Sequence, residues 1–136
     1  MTNENSSKQR VLDHYRNPRN YGVIEDADLV SKEAGPPCGD EVHFYLKLDR
    51  NRITDIRFTS SSCAICKASA SMLSEMIKGK EGDYVMNLGE KDIMDMFGMD
   101  LEPNRRKCAL LPLAAIKKGI TSQRTQQKRA VSSDRT

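Results

Sequence analysis

Apolar and polar residues alternate in the middle of the chain, which is the pattern of β-strands with one buried side. Residues 41–49 alternate throughout, and residues 53–59 continue the pattern after a polar turn. Two such runs joined by a short turn predict an antiparallel hairpin. Residues 27–32 predict a third strand, which would lie at the edge of this hairpin. The side chains expected on the buried side of the hairpin are Val42, Phe44, Leu46, Leu48, Ile56 and Phe58.

Four further segments repeat their apolar residues at the spacing of a helix with one buried face. They are residues 9–16, 64–78, 90–97 and 110–118. Pro18 ends the first helix because the residue before a proline avoids the α conformation. Ser62 can cap the second helix, and Gly79 and Gly119 suit the positions just past the second and the last. The order α-β-β-β-α-α-α predicts an α+β fold, with helices packed on one side of a small three-stranded antiparallel sheet.

The C-terminal stretch differs from the rest of the chain. The chain has 136 residues, which fits a single domain, but residues 121–136 hold only one large apolar residue, Val131. Such a segment cannot bury enough surface to offset its ordering entropy, so we predict a domain over residues 1–120 and a disordered basic tail over residues 121–136. The tail carries the whole formal net charge of +3. Because the remaining body is neutral, no nucleic-acid partner is expected.

Hydropathy and the cysteine count indicate the compartment. No stretch approaches the ~20 apolar residues of a membrane helix, so no membrane partner is expected. The first ten residues are polar, unlike those of a signal peptide. We therefore expect a cytoplasmic protein, in a compartment where thiols stay reduced. The four cysteines then indicate metal or redox chemistry rather than a disulfide framework.

Three of these cysteines lie at the ends of predicted elements or in loops. Cys38 precedes Asp40 by two residues, Cys63 lies between a strand and a helix, and Cys108 follows three cations. The N-terminus of a helix and neighbouring cations both favour thiolate over thiol. Three thiolates and one carboxylate are the right number of ligands for one zinc ion, and they equally suit a small iron–sulfur cluster. The spacing of these residues leaves both possibilities open.

Other polar side chains have plainer interpretations. Cys66, one helical turn after Cys63, is either a core residue or an additional ligand. The same pair fits a dithiol oxidoreductase, although the preceding hairpin is not the βαβ unit of a thioredoxin-like fold. His14 is predicted to be structural and His43 to face solvent. The chain has no phosphate-binding or hydrolase motif, so neither function has support.

Four motifs stand in order along the chain: residues 12–20 (LDHYRNPRN), 37–40 (PCGD), 62–72 (SCAICKASASM) and 107–108 (KC). Together they resemble the motifs of the U-type iron–sulfur scaffold family, which comprises IscU, SufU and the N-terminal domain of NifU. The resemblance spans nearly the whole body of the chain, from about residue 11 to residue 119.

This resemblance implies a scaffold or carrier rather than an enzyme, on which a [2Fe–2S] cluster is built and then passed to apo iron–sulfur proteins. Sulfur would arrive as a persulfide from a cysteine desulfurase. The family's ligand positions match Cys38, Asp40, Cys63 and Cys108, and Cys108 would be the persulfide acceptor. Zn²⁺ often occupies the same site in the family. The rival implication is a zinc-dependent sulfur acceptor of the SufU type, which relays the persulfide and holds no cluster.

The chain departs from the family pattern just before Cys108. Lys107 stands where the scaffold branch usually has a histidine, and an ammonium group is a poor ligand unless it loses its proton. The run that begins at Arg105 fits the SufU branch, but the chain lacks that branch's insertion. Residues 101–105 (LEPNR) keep little of the family's Leu-Pro-Pro-Val-Lys motif, so a dedicated Hsp70 chaperone is not expected as a partner. Lys107, Arg105 and Cys66 are auxiliary candidates at the site.

Overall fold

A computed structural model describes residues 4–35 and 39–134. Helices and strands follow one another in the predicted order, with one additional short helix. The elements are α1 (Glu4–Arg16), β1 (Leu29–Gly35), β2 (Asp40–Asp49), β3 (Arg52–Ser61), α2 (Ala64–Ile77), α3 (Gly82–Met86), α4 (Glu90–Phe97) and α5 (Pro103–Asp134). None of the helices in the described part of the chain is both long enough and apolar enough to cross a membrane.

The three strands form one antiparallel sheet in the order β1-β2-β3, as predicted. Gly35, the last residue of β1, pairs with Asp40, the first residue of β2, and Phe44 pairs with Phe58 between β2 and β3. The alternation predicted for the hairpin is confirmed, because five of the six expected side chains are buried and the sixth, Leu48, packs partly buried against the core. The sheet therefore has one face inside the molecule and one face outside.

Helices α2 and α5 cover the inner face of the sheet. Both carry buried side chains toward it, and α5 lies closest to β1. Gly119 was expected to end the last helix, and this prediction is wrong because Gly119 lies inside α5. A Cβ atom at this position would lie 2.7 Å from Cβ of Ser31 and 2.8 Å from Cδ2 of Leu29, distances that real Cβ atoms do not tolerate. The glycine therefore allows the backbone of α5 to approach β1.

The last helix is much longer than the predicted 110–118. It begins at Pro103, a residue suited to the first turn, continues through Pro112 and ends at Asp134. It thus covers most of residues 121–136, for which the sequence predicts a disordered tail. Arg124 anchors the start of this stretch by donating to Oδ1 of Asp83 at 2.7 Å. The division of the chain at residue 120 stays a prediction.

Helix α1 is fastened to α2 by the polar residues of the motif over residues 12–20. His14 is buried, and its Nδ1 lies 2.7 Å from Oγ of Ser71. The same Oγ accepts from the backbone N–H of Arg19 at 2.9 Å, and Asn20 donates to Oγ of Ser74 at 2.9 Å. The structure thus agrees with the structural role predicted for His14. Ser71 and Ser74, on one face of α2, therefore accept hydrogen bonds from the residues that follow α1.

Some helix boundaries differ from the predicted ones. α1 begins at Glu4 rather than near residue 9, and the short helix α3 was not predicted. Ser62 does not cap α2, because Cys63 takes the N-cap position. Gly79 does follow the end of α2, with the positive φ of 86° that favours glycine. Apart from α3, these differences lie at element ends, where local sequence specifies structure least.

Candidate metal centre

Three of the four predicted ligands come together at one end of the sheet. Asp40 is the first residue of β2, Cys63 is the N-cap of α2, and Cys108 lies in the second turn of α5. Each offers one ligand atom, and the three atoms lie within 4.8 Å of one another. Asp40 and Cys108 are buried, with 3% and 7% exposure, while Cys63 is partly exposed. A metal held by these residues would be largely buried, with solvent access beside Cys63.

Asp40 and Cys63 are in direct contact. The backbone N–H of Cys63 donates to Oδ1 of Asp40 at 3.0 Å, and the Cys63 thiol donates to Oδ2 at 3.3 Å. The side chain of Cys63 makes no cap hydrogen bond to α2. The carboxylate therefore satisfies a backbone N–H at the start of this helix, where the helix dipole favours negative charge. Asp40 has a structural role in addition to any role as a ligand.

The backbone around Asp40 explains why a glycine precedes it. Gly39 has a φ of 69°, in the left-handed region that other residues adopt only with strain. This conformation carries the chain into β2 and places Asp40 at its first position. Cys38 and the two prolines before it lie outside the described residues. The predicted role of Cys38 as the fourth ligand therefore stays a prediction.

Cys108 is positioned by contacts between α2 and α5. Ser69 of α2 is buried and donates to the carbonyl of Ala109, the residue after Cys108, at 2.6 Å. Near the start of α5, Arg106 donates to the carbonyl of Leu101 at 3.1 Å. The first bond holds the start of α5 against α2, and the second holds it to the segment that precedes it. The thiols of Cys63 and Cys108 thereby face the same cavity.

A cavity of about 350 Å³ opens beside the two thiols. It lies between the first turns of α2 and α5, and its lining consists of Cys63, Ala64, Ile65, Asn104, Arg105 and Cys108. Arg105 and Asn104 precede Cys108 by three and four residues, so all three share one face of the helix. The cavity gives an incoming thiol or metal a path to the ligand atoms, and Arg105 forms part of its wall.

The auxiliary candidates take three different positions. Arg105 lines the cavity, whereas Lys107 is exposed and is not among the lining residues. Cys66 is fully buried in the core formed by α2. Only Cys63 of the Cys63–Cys66 pair reaches the cavity, an arrangement that favours a metal site over a dithiol oxidoreductase. His43 is partly exposed on β2, in line with the predicted solvent-facing position.

Asn104 is a lining residue that the sequence analysis missed. Its spacing of four residues before Cys108 is a helical signal. The signal could not be used because the predicted helix began at residue 110, whereas α5 begins at Pro103. A helix start placed at the proline would have put Asn104, Arg105 and Cys108 on one face.

The donor set suits a metal that binds sulfur. Two thiols and a carboxylate, together with the predicted Cys38, would supply the four ligands of a tetrahedral zinc site or of a [2Fe–2S] cluster. Sulfur ligands are soft, which favours zinc and iron–sulfur clusters over magnesium or calcium. The residues present therefore fit both groups that the resemblance implies.

Comparison with known proteins identifies the family of this chain. The family model of the NifU-like N terminal domain matches residues 6–130. The chain belongs to the NifU-like N-terminal domain family. Its relatives in this family include the iron–sulfur cluster assembly scaffold protein IscU of Aquifex aeolicus, which is 40% identical over 123 residues, covering 89% of this chain and 78% of the relative.

Other members of the NifU-like family carry two different functional names. The zinc-dependent sulfurtransferase SufU of Bacillus subtilis is 36% identical over 135 residues, covering 85% of this chain and 90% of the relative. The scaffold IscU of Escherichia coli K12 is 33% identical over 124 residues, covering 88% and 95%. The predicted family and fold are thus confirmed, and both functions that the sequence left open are found among relatives.

Solved structures support the same fold. A protein of Fervidobacterium islandicum described as an iron–sulfur cluster assembly scaffold of the SUF system superposes with a TM-score of 0.73 at 26% identity, covering 82% of this chain and 93% of that chain. The N-terminal part of a NifU-like protein from Brucella abortus has a TM-score of 0.68 at 22% identity, covering 88% and 96%.

Proposed function

We propose that this protein is a scaffold on which an iron–sulfur cluster, most simply a [2Fe–2S] cluster, is assembled and from which it passes to apo-proteins. The observation that carries the proposal is the convergence of Asp40, Cys63 and Cys108, whose ligand atoms lie within 4.8 Å of one another. The convergence occurs in a chain that shares 40% identity with an IscU scaffold. Cys38 is the proposed fourth ligand.

The cluster is cargo, so the site has to accept it and release it. Thiolates are the usual ligands of such clusters, and a carboxylate is a harder ligand that binds iron beside them less firmly. Asp40 is therefore the ligand at which release is expected to begin. The cavity between α2 and α5 provides the opening through which an acceptor's thiolate reaches the cargo.

Sulfur is proposed to enter through Cys108. Its thiolate attacks the outer sulfur of a persulfide on a cysteine desulfurase, a new S–S bond forms at Cys108, and the desulfurase cysteine leaves as a thiolate. No external oxidant is needed, because the sulfur atom moves between two thiolates. Arg105, in the wall of the same cavity, would offset the negative charge of the incoming group.

A second function is favoured by a separate observation. The relative from Bacillus subtilis is named as a zinc-dependent sulfurtransferase, and the run from Arg105 to Cys108 fits that branch. In this alternative the same residues hold Zn²⁺, and the protein accepts sulfur without holding a cluster. The presence of Lys107 where the scaffold branch usually has a histidine is compatible with this alternative.

Anaerobic reconstitution separates the two functions. The zinc-free and zinc-loaded proteins are incubated with ferrous iron, cysteine and a cysteine desulfurase, and then iron, acid-labile sulfide, zinc and the visible spectrum are measured. The scaffold proposal expects equal iron and sulfide with a cluster spectrum, lost in Cys63→Ser and kept in Cys66→Ser. Stoichiometric zinc that iron does not replace would overturn the scaffold proposal in favour of the zinc-dependent alternative.

A further inference from the structure

Strand β1 forms an edge of the sheet that is open in the described part of the chain. Its inner side pairs with β2 through all seven of its residues, from Leu29 to Gly35. On its other side no strand is placed, and no backbone hydrogen bond from the described turns and loops involves residues 29–35. A cleft of about 250 Å³ opens beside residues 28–32 of this edge, with α5 forming its other wall. Unpaired backbone groups in such a row are a template for another strand.

On the outer face of this edge, Val30 is flanked at equal distances by an acidic and a basic side chain. Val30 is 59% exposed, the highest value among the large hydrophobic side chains in the described part. Asp28 precedes it by two residues and Lys32 follows it by two, so the three share one face of the strand. Asp28 and Lys32 are both substantially exposed. Lys32 makes a long ion pair with Glu41 of β2 at 3.5 Å. Oδ2 of Asp28 accepts the backbone N–H of Leu48 at 2.7 Å and lies 3.8 Å from Nζ of Lys47.

This arrangement is self-complementary under a two-fold axis. If a second copy pairs antiparallel with Val30 opposite Val30, then Asp28 of each copy lies opposite Lys32 of the other. A register centred on Lys32 would instead oppose two ammonium groups, and one centred on Ser31 would place Val30 opposite Lys32. Opposite charges and paired β-branched residues stabilise cross-strand neighbours, whereas like charges destabilise them. The side chains therefore select one register.

We infer that β1 is the docking site for β1 of a second copy of this chain, in the register centred on Val30. The two three-stranded sheets then form one six-stranded sheet, with α5 of each copy on the inner face, where Gly119 meets Leu29 and Ser31. The contact lies about 17 Å along β1 from Gly35, which adjoins the metal centre, so the cavity beside Cys63 and Cys108 stays open. The inference does not depend on the function proposed above.

A short pairing of this kind buries little surface, so the dimer is expected to be weak and concentration-dependent. Sedimentation velocity over a series of protein concentrations measures it directly. Lys32→Asp or Asp28→Lys alone opposes like charges twice per dimer, and each is expected to weaken association about tenfold. The double variant Asp28→Lys/Lys32→Asp restores both pairs and should recover the wild-type value. Lys91→Asp on α4 changes the charge as Lys32→Asp does and is the control for that variant.

The two single variants shift the net charge in opposite directions, so a general effect of net charge cannot weaken association in both. The double variant has the wild-type net charge, and its recovery is expected because the two positions pair with each other. A wild-type protein that sediments as a monomer at every concentration, or a double variant no better than the single ones, overturns the inference. Asp28 also accepts the backbone N–H of Leu48 at 2.7 Å, so its replacement could perturb folding. A second measurement avoids that position. Val30→Cys should form a cross-linked dimer on mild oxidation faster than Ala34→Cys, and equal rates would also overturn the inference.

Discussion

Asp40 makes a structural contact with Cys63 and is also a predicted metal ligand. Two substitutions at this position can separate the two roles. Its Oδ1 accepts the backbone N–H of Cys63, and its Oδ2 accepts the thiol. Asp40→Asn keeps an oxygen that can accept the N–H but is a poor ligand for iron or zinc. Asp40→Ala removes both the acceptor for this N–H and the metal ligand. The comparison of the two variants therefore isolates the contact at the start of α2 from the chemistry of the bound metal.

The expected magnitudes follow from that geometry. In the metal-free protein, Asp40→Ala leaves the N–H of Cys63 without its acceptor beside a buried position, which costs about 1–2 kcal/mol relative to Asp40→Asn. In the cluster-loaded protein, both variants lose the hard ligand and leave a site of soft thiolates. We expect both to release the cluster to an apo-ferredoxin more slowly than the wild type.

Urea unfolding of the metal-free variants measures the first effect, and the rate of cluster transfer followed by circular dichroism measures the second. Transfer from Asp40→Asn at the wild-type rate would refute a labilising role for the carboxylate. Equal unfolding free energies for the two metal-free variants would refute the structural contact. Each result can occur without the other, because one is measured without cargo and the other with it.

Three further predictions concern other parts of the molecule. Cys66→Ser should bind as much metal as the wild type, whereas Cys63→Ser should not; equal losses would make Cys66 a ligand. Gly119→Ala should lower the free energy of unfolding by about 1 kcal/mol, because the overpacking against β1 exceeds the gain in helix propensity. A more stable Gly119→Ala would contradict the close approach. Burial lowers the pKa of His14 below its ordinary 6.5, so the unfolded chain binds more protons and stability should fall as the pH drops below 6.5. His14→Asn should lack this part of the pH dependence in unfolding titrations, and an unchanged slope would rule it out.

Regular patterns made most of the fold predictable. The hairpin alternates without interruption, so its buried side could be assigned residue by residue, and α2 was predicted to within one residue of its observed end. The last helix was predicted poorly because Pro112 and Gly119 are local signals of helix ends. Packing of α5 against β1 and α2 outweighs both of them. Residues that normally break a helix can be accommodated by tertiary packing, and this packing cannot be inferred from the sequence around those residues.

The metal centre was predictable for a different reason. Its residues lie at the ends of predicted elements, and chain ends of neighbouring elements meet at the same edge of a small sheet. Asp40 and Cys63 could therefore be assigned together, although nothing in the sequence showed that the carboxylate also accepts the N–H of Cys63. Cys66 could not be assigned, because a helical cysteine one turn from a ligand can face either the site or the core.

The ligand atoms of Asp40, Cys63 and Cys108 come from β2, α2 and α5, segments far apart along the chain. Anything bound by all three acts as a cross-link, and it stabilises the folded state by about 2.7 kcal/mol when its concentration is a hundred times the dissociation constant. Delivery of the cargo then withdraws that stabilisation from the donor. A partner can therefore distinguish a loaded molecule from an empty one by how tightly the first turns of α2 and α5 are held, without contacting the metal.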